Sequence, residues 1–87
     1  QKDNVLVYPN PVHAELGVKY QVDADDSAVE ISVRSIYGFQ PKVNLFVGQQ
    51  NQGQHYDSFN VQNLKPGLYV LTLKVGDRIT TQTIQVE

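Results

Sequence analysis

The sequence has no cysteine, no methionine and no tryptophan among its 87 residues. Without cysteine, neither disulfide bonds nor a thiolate metal site can hold the fold together. Because the chain starts at Gln1 rather than at a methionine, we expect it to be a piece of a longer protein. Any signal peptide would then lie upstream of Gln1.

The sequence also lacks a large excess of charge of either sign, and it has no long apolar run. Seven basic and nine acidic residues are scattered along the chain and leave a net charge of −2. No basic run could neutralise a row of phosphates, which disfavours nucleic acid as a partner. No apolar run approaches the roughly 20 residues that a membrane-spanning helix needs, so we expect no transmembrane segment.

What the sequence does contain is a regular alternation, in which apolar residues recur at every second position. In the segment 15–22 apolar residues alternate with polar ones, and the segments 29–34 and 69–75 repeat the pattern. Such alternation predicts strands with one buried and one solvated face. Three tyrosines fall on the predicted core faces: Tyr20, Tyr37 and Tyr69. The pattern does not place Tyr56 and Phe59, for which core or sheet packing is favoured.

Turn-forming residues separate these segments. They occur at Pro9-Asn10-Pro11, in the polar cluster 23–27, in a glutamine-rich loop 48–53, and at 65–67 and 76–77. The predicted strands are 4–8, 14–23, 28–37, 42–47, 54–61, 68–75 and 78–86. In the last of them Ile79 falls on one face and Ile84 and Val86 on the other, which predicts a bulge or a strand that switches sheets.

Short strands at this spacing predict an all-β fold, an immunoglobulin-like antiparallel β-sandwich of about seven strands. A chain of 87 residues has room for one core, so we expect residues 1–87 to form a single domain, with 1–4 as a linker remnant.

No residue pattern predicts catalysis. The aspartates of the turn 23–26 lack the glycine and glutamate spacing of a calcium-binding loop. His13 and His55 have no local ligand spacing. No serine sits in the glycine-flanked elbow of a nucleophile. We therefore expect no enzymatic activity, no metal and no cofactor.

Two framing motifs stand out. Val7-Tyr8-Pro9-Asn10-Pro11 opens the domain, and Leu64-Lys65-Pro66-Gly67-Leu68-Tyr69 precedes the last strand. In this order they resemble the type A C-terminal sorting domain of the type IX secretion system of Bacteroidetes. The resemblance covers nearly the whole chain, from about Val5 to Glu87.

The resemblance implies a function in secretion. Such domains end cargo proteins that cross the inner membrane by a separate N-terminal signal and pass through the periplasm. An outer-membrane translocon recognises the folded domain and exports the cargo to the cell surface or the medium. A sortase-like cysteine peptidase then commonly removes the domain and joins the cargo to an anionic lipopolysaccharide. The domain would be a substrate and an address for these partners.

We expect the final two strands, 68–75 and 79–86, to carry much of what the translocon reads. Their predicted outward side chains are Thr72, Lys74, Thr80 and Gln82. The full set of predicted signal residues is Tyr8, Pro9, Asn10, Pro11, Pro66, Gly67, Tyr69, Lys74, Gln82, Ile84 and Val86.

Two other functions fit the same pattern. A fibronectin-like adhesion or spacer module is one, because Leu64-Lys65-Pro66 leading to Tyr69 resembles a tyrosine corner with a gap one residue short. A carbohydrate-binding accessory domain is the other, and it would require exposed aromatic residues in a row on one face.

Overall fold

A computed structural model describes residues 5–9, 11–37 and 41–87, and these ranges contain strands and turns only. None of the described residues forms a helix that could cross a membrane. The seven strands are β1 (Leu6–Tyr8), β2 (Glu15–Val22), β3 (Ser27–Ser35), β4 (Val43–Gln50), β5 (Gly53–Asn60), β6 (Gly67–Val75) and β7 (Arg78–Val86).

The strands form two antiparallel sheets. The first has the order β1-β2-β5 and the second the order β4-β3-β6-β7. The sheets present their apolar faces to one core, so the predicted immunoglobulin-like antiparallel β-sandwich is confirmed.

The core follows the period of two in the sequence. Fully buried side chains of the first sheet meet those of the second, and burying each large one contributes roughly 1.5–3 kcal/mol. The largest are Tyr20, Leu16, Ile31, Leu71 and Ile84. The prediction that Tyr20 and Tyr69 are core residues is confirmed, and Phe59 packs against the core from a partly buried position.

The prediction that Tyr37 is a core residue is wrong. Its side chain is 76% exposed. Strand β3 ends at Ser35, and the Tyr37 N–H then bonds to the Ser35 hydroxyl in a bend. Tyr37 therefore lies beyond the alternation that buries Val33.

The predicted glutamine-rich loop 48–53 is largely strand. Strand β4 continues to Gln50 and β5 begins at Gly53, which leaves only residues 51 and 52 between them. Gln49 and Gln50 pair with Ala28 and Ser27 of β3. Pairing with a neighbouring strand extended β4 further than side-chain polarity indicated.

The last strand has neither the predicted bulge nor a switch of sheets. The register of β6 with β7 runs unbroken from Gly67↔Val86 to Val75↔Arg78. Ile79 faces outward and is 59% exposed, which a surface isoleucine tolerates. The irregularity of this sheet lies instead between β3 and β4, at Ile31/Ser32.

The predicted hairpin at 76–77 is present. Val75 pairs with Arg78, so Gly76 and Asp77 form a two-residue loop. Gly76 has φ of 58°, a left-handed conformation that glycine adopts without steric cost.

Candidate functional site

The segment directly after the opening motif and the closing motif both pair with the end of β7, at one end of the sandwich. Val12 forms a parallel bridge with Val86. Its N–H donates to the Gln85 carbonyl at 2.8 Å, and the Glu87 N–H donates to the Val12 carbonyl at 2.8 Å. We call this region, formed by residues 11–14, 65–67 and 84–87, the motif end.

The turn before β6 belongs to the same region. Gly67 pairs with Val86, so Val86 joins the closing motif to Val12, the residue directly after the opening motif. Gly67 has φ of 150°, which L side chains rarely adopt, and no neighbouring atom would crowd an added Cβ. The backbone conformation, rather than space, therefore favours glycine in this motif. Pro66 beside it is exposed.

Tyr69 anchors this turn. Its ring is 5% exposed, and its hydroxyl donates to the Lys65 carbonyl at 2.7 Å. This is the geometry of a tyrosine corner, in which a buried tyrosine bonds the backbone a few residues upstream. The shorter gap noted in the sequence is accommodated by a bond to the residue four positions back.

Several predicted signal residues are structural. Ile84 is 0% and Val86 is 2% exposed, so neither side chain is displayed on the surface. Val12, which sequence reasoning did not single out, is also 0% exposed. In the sequence, Val12 is distinguished only by being an apolar residue directly after Pro11.

The exposed signal residues do not form one patch. Tyr8 lies on the outer face of β1 and Lys74 on the outer face of β6, which belongs to the opposite sheet. Pro9 and Pro11 are exposed near the motif end, and Asn10 lies outside the described residues.

The outward placement predicted for Gln82 and Thr80 is wrong. Across the β6–β7 pair these residues stand opposite Leu71 and Leu73, whose side chains are buried. They therefore lie on the inner face of the edge strand, where they are half-buried. Lys74 does face outward and is exposed.

Lys74 lines a shallow groove on the outer face of the four-stranded sheet. The groove has a volume of about 220 Å³. Lys42 Nζ lies 3.8 Å from Glu30 Oε1 at its side. The lining residues are Glu30, Ser32, Arg34, Lys42, Val70, Thr72 and Lys74, so three cations and one carboxylate surround it.

The outer face of the other sheet carries a tyrosine pair. The ring centroids of Tyr8 and Tyr56 are 6.0 Å apart. Tyr8 is 41% exposed and Tyr56 is 54% exposed. Partial desolvation and the neighbouring Tyr56 hydroxyl raise the pKa of Tyr8, because both disfavour the phenolate. Among the residues that the structure describes, this face carries a pair of aromatic residues and not the row that a carbohydrate-binding face would require.

A polar network lies on the inner side of β5. The Tyr20 hydroxyl donates to Asp57 Oδ2 at 2.8 Å and accepts from Gln50 Nε2 at 3.2 Å. The Tyr20 ring also stacks on His55 at 5.6 Å. Burial and the bond to Asp57 raise the pKa of Tyr20 to about 12, against a smaller opposing effect of Gln50.

Because of this network, the free energy of unfolding depends on pH in the alkaline range. The unfolded chain ionises Tyr20 near its ordinary pKa of about 10, whereas the folded chain holds the proton until about pH 12. We therefore expect the free energy of unfolding to fall as pH rises through that window. Urea unfolding at several pH values, compared with Tyr20→Phe, measures this component. A Tyr20→Phe variant with the same alkaline slope as the parent would contradict it.

The described residues contain no cluster of side chains that could bind a metal ion. Over 5–9, 11–37 and 41–87, no group of three or more His, Cys, Asp or Glu side chains is placed to hold a metal ion. In the same ranges, every buried side-chain nitrogen or oxygen has a hydrogen-bond partner.

Comparison with known families identifies the class of domain. Residues 6–87 match the family model of the secretion system C-terminal sorting domain. The match covers nearly the whole chain, and the chain therefore belongs to this family of type IX secretion sorting domains. No match was found among curated proteins or among solved structures.

Family membership confirms the resemblance seen in the sequence. The family is one of sorting signals and is not catalytic. It implies interaction with the type IX machinery, and export to the cell surface or the medium.

Proposed function

We propose that this domain is the export label of its parent protein and has no catalytic activity of its own. The outer-membrane translocon binds the folded domain, and the parent protein crosses from the periplasm to the cell surface. A sortase-like cysteine peptidase is the second partner, which releases the domain and attaches the parent to the surface.

The observation that carries this proposal is that Val12, directly after the opening motif, and Gly67, in the closing motif, both pair with Val86 at the motif end. The backbone of Val12 bonds to Gln85 and Glu87, on either side of Val86, and the side chains of Val12 and Val86 are both buried. The two ends of the domain therefore become neighbours only when the sandwich closes. A receptor that reads both motifs therefore distinguishes the folded domain from an unfolded chain.

The recognition surface extends along the β6–β7 hairpin. The hairpin starts at the motif end, at Gly67 and Val86, and reaches the turn at Gly76. Its outer face displays Lys74 beside the groove, where a charge is accessible without disturbing the core.

An adhesion or spacer module is the second candidate, favoured by the tyrosine corner at Tyr69 and Lys65. This feature is shared by many sandwich domains, whereas the family match spans residues 6–87. The sorting function is therefore the better supported of the two.

A charge reversal at Lys74 tests the recognition surface. The domain is fused to a periplasm-directed reporter in a host that carries the type IX system. We expect Lys74→Glu to lower the free energy of unfolding by no more than about 1 kcal/mol, because the side chain is exposed but the new carboxylate stands opposite Glu30 of β3. The reporter should nevertheless accumulate in the periplasm.

The matched control is Lys19→Glu, the same charge change on the outer face of the opposite sheet, which should export at the parental rate. A folded Lys74→Glu variant that also exports at the parental rate would show that this face is not read. If the parent domain exports no reporter in such a host, the adhesion module replaces the sorting function.

A further inference from the structure

The outer face of the four-stranded sheet concentrates positive charge. Three of the seven basic residues of the chain, Arg34, Lys42 and Lys74, line its groove, against one of the nine acidic residues, Glu30. The groove therefore has a charge of +2, although the chain as a whole has a net charge of −2. The remainder of the chain must then carry −4, so the groove is a local positive site on an acidic domain.

The register of the sheet explains the shape of the groove. Ser32 pairs with Thr72 across β3 and β6, and these two short side chains form its floor. Two residues along the strands on one side, Glu30 pairs with Lys74, and two residues along on the other side stands Arg34. Long charged side chains thus lie on both sides of a floor that presents two hydroxyl groups. Hydroxyl, ammonium and guanidinium groups all donate hydrogen bonds to an anion.

Part of this positive charge is not neutralised within the domain. Lys42 Nζ lies 3.8 Å from Glu30 Oε1. In the part of the chain that the structure describes, Arg34 and Lys74 have no ion-pair partner, and both side chains are exposed. A guanidinium binds a carboxylate through two parallel N–H groups, and an ammonium binds it as a point charge. The groove therefore fits a ligand that carries several anionic oxygens.

A smaller hollow adjoins the groove. It has a volume of about 160 Å³, shares Glu30 and Lys74 with the groove, and has further walls that include Ala28, Val47 and Gly48. Val47 stands opposite Glu30 in the β3–β4 register and is 64% exposed. An apolar side chain placed against Val47 would be partly removed from water, which is favourable. The face thus offers a subsite for anions and an apolar subsite side by side.

We propose that this face binds an acidic segment of a partner protein, with two carboxylates in the groove and a neighbouring apolar side chain in the hollow. Two carboxylates balance the charge of +2 in the groove. One accepts two N–H bonds from Arg34, and the other lies between Lys42 and Lys74. The inference rests on the proposed function, because it gives the chemistry of what the translocon presents to the face of Lys74.

A protein segment fits this face better than an extended anionic surface does. A membrane or a long polyanion would bring further negative charge against the remaining −4 of the domain, and this repulsion would oppose the attraction in the groove. A short acidic segment confines its charge to the groove. It also supplies the apolar side chain that the hollow accommodates.

The first test is an NMR titration of the isotope-labelled 87-residue chain. The probe is a short peptide, blocked at both ends, with two adjacent glutamates and one valine among serines. We expect saturable shifts of the backbone amide signals of residues 28–34, 47–48 and 70–76, and none with the same peptide carrying glutamine in place of both glutamates. Binding should weaken as ionic strength rises from about 0.01 to 0.15 M, because screening shortens the range of the attraction.

The second test uses variants that remove one charge each. Arg34→Gln and Lys74→Gln should each raise the dissociation constant of the acidic peptide about threefold, and the double variant about tenfold. Arg34→Lys keeps the charge without the planar fork and should weaken binding less than Arg34→Gln does. The matched control is Lys19→Gln on the outer face of the opposite sheet, which should leave the dissociation constant unchanged.

Three results would overturn the proposal. They are the absence of saturable binding, equal binding of the glutamine peptide, and an equal loss of affinity in Lys19→Gln. Tighter binding of tripolyphosphate or of phosphatidylglycerol vesicles at the same amide signals would also overturn it, since the occupant would then be a phosphate or a membrane. The titration needs no secretion host, so its failure leaves the export function standing, whereas a failure of export leaves a positive titration intact.

Discussion

Replacement of Tyr69 by alanine is expected to lower the free energy of unfolding by about 3–5 kcal/mol. The ring is 5% exposed and stands opposite Ile84 in the β6–β7 pair, so truncation leaves a cavity beside the motif end. It also removes the hydroxyl that bonds the Lys65 carbonyl. A loss of this size is a large share of the roughly 5–15 kcal/mol of a whole domain.

Tyr69→Phe separates the two contributions. It keeps the ring and deletes the bond to Lys65, and should cost about 1 kcal/mol. Urea unfolding of both variants and the parent gives the values. A Tyr69→Ala variant with the parental denaturation midpoint would contradict the core position of this ring.

The second large effect is expected at Ile84. Its side chain is 0% exposed, and Ile84→Ala should lower the free energy of unfolding by about 2–5 kcal/mol. The same strand offers a matched control, because Ile79 is 59% exposed on the outer face. Ile79→Ala should change stability by less than about 0.5 kcal/mol.

The pair of variants tests the unbroken register of β7. Chemical denaturation of the two proteins under one set of conditions is sufficient. Equal destabilisation by Ile79→Ala and Ile84→Ala would mean that both side chains are buried, as a bulged strand would require.

Local sequence pattern predicted the central strands well. The alternation in β2, β3 and β6 matches their buried faces, since a strand buried on one side must repeat every two residues. The hairpin at Gly76 was also predictable, because glycine adopts the required backbone angle.

Edge strands were predicted less well, because their neighbours define them more than their own side chains do. Gln49 and Gln50 resemble loop residues but pair with β3. In β7, the apolar Ile79 suggested an irregularity, whereas pairing with β6 places it outward and Gln82 inward. A strand with one sheet neighbour buries less surface, so its alternation is a weaker signal.

The candidate site was predictable in its residues but not in its geometry. Both motifs could be read from the sequence, yet nothing in a period of two indicates that Val12 lies beside Val86. That contact joins distant parts of the chain and depends on the closure of the whole sandwich. The same closure explains why Ile84 and Val86 are buried supports of the motif end.

The bridge between Val12 and Val86 has a consequence for biosynthesis. Strand β7 leaves the ribosome after the other six strands, so Val12 has no partner until residues 85–87 have been synthesised. A product that stops before residue 84 lacks two core side chains and both backbone bonds to Val12. A chain truncated before this point therefore cannot form the motif end.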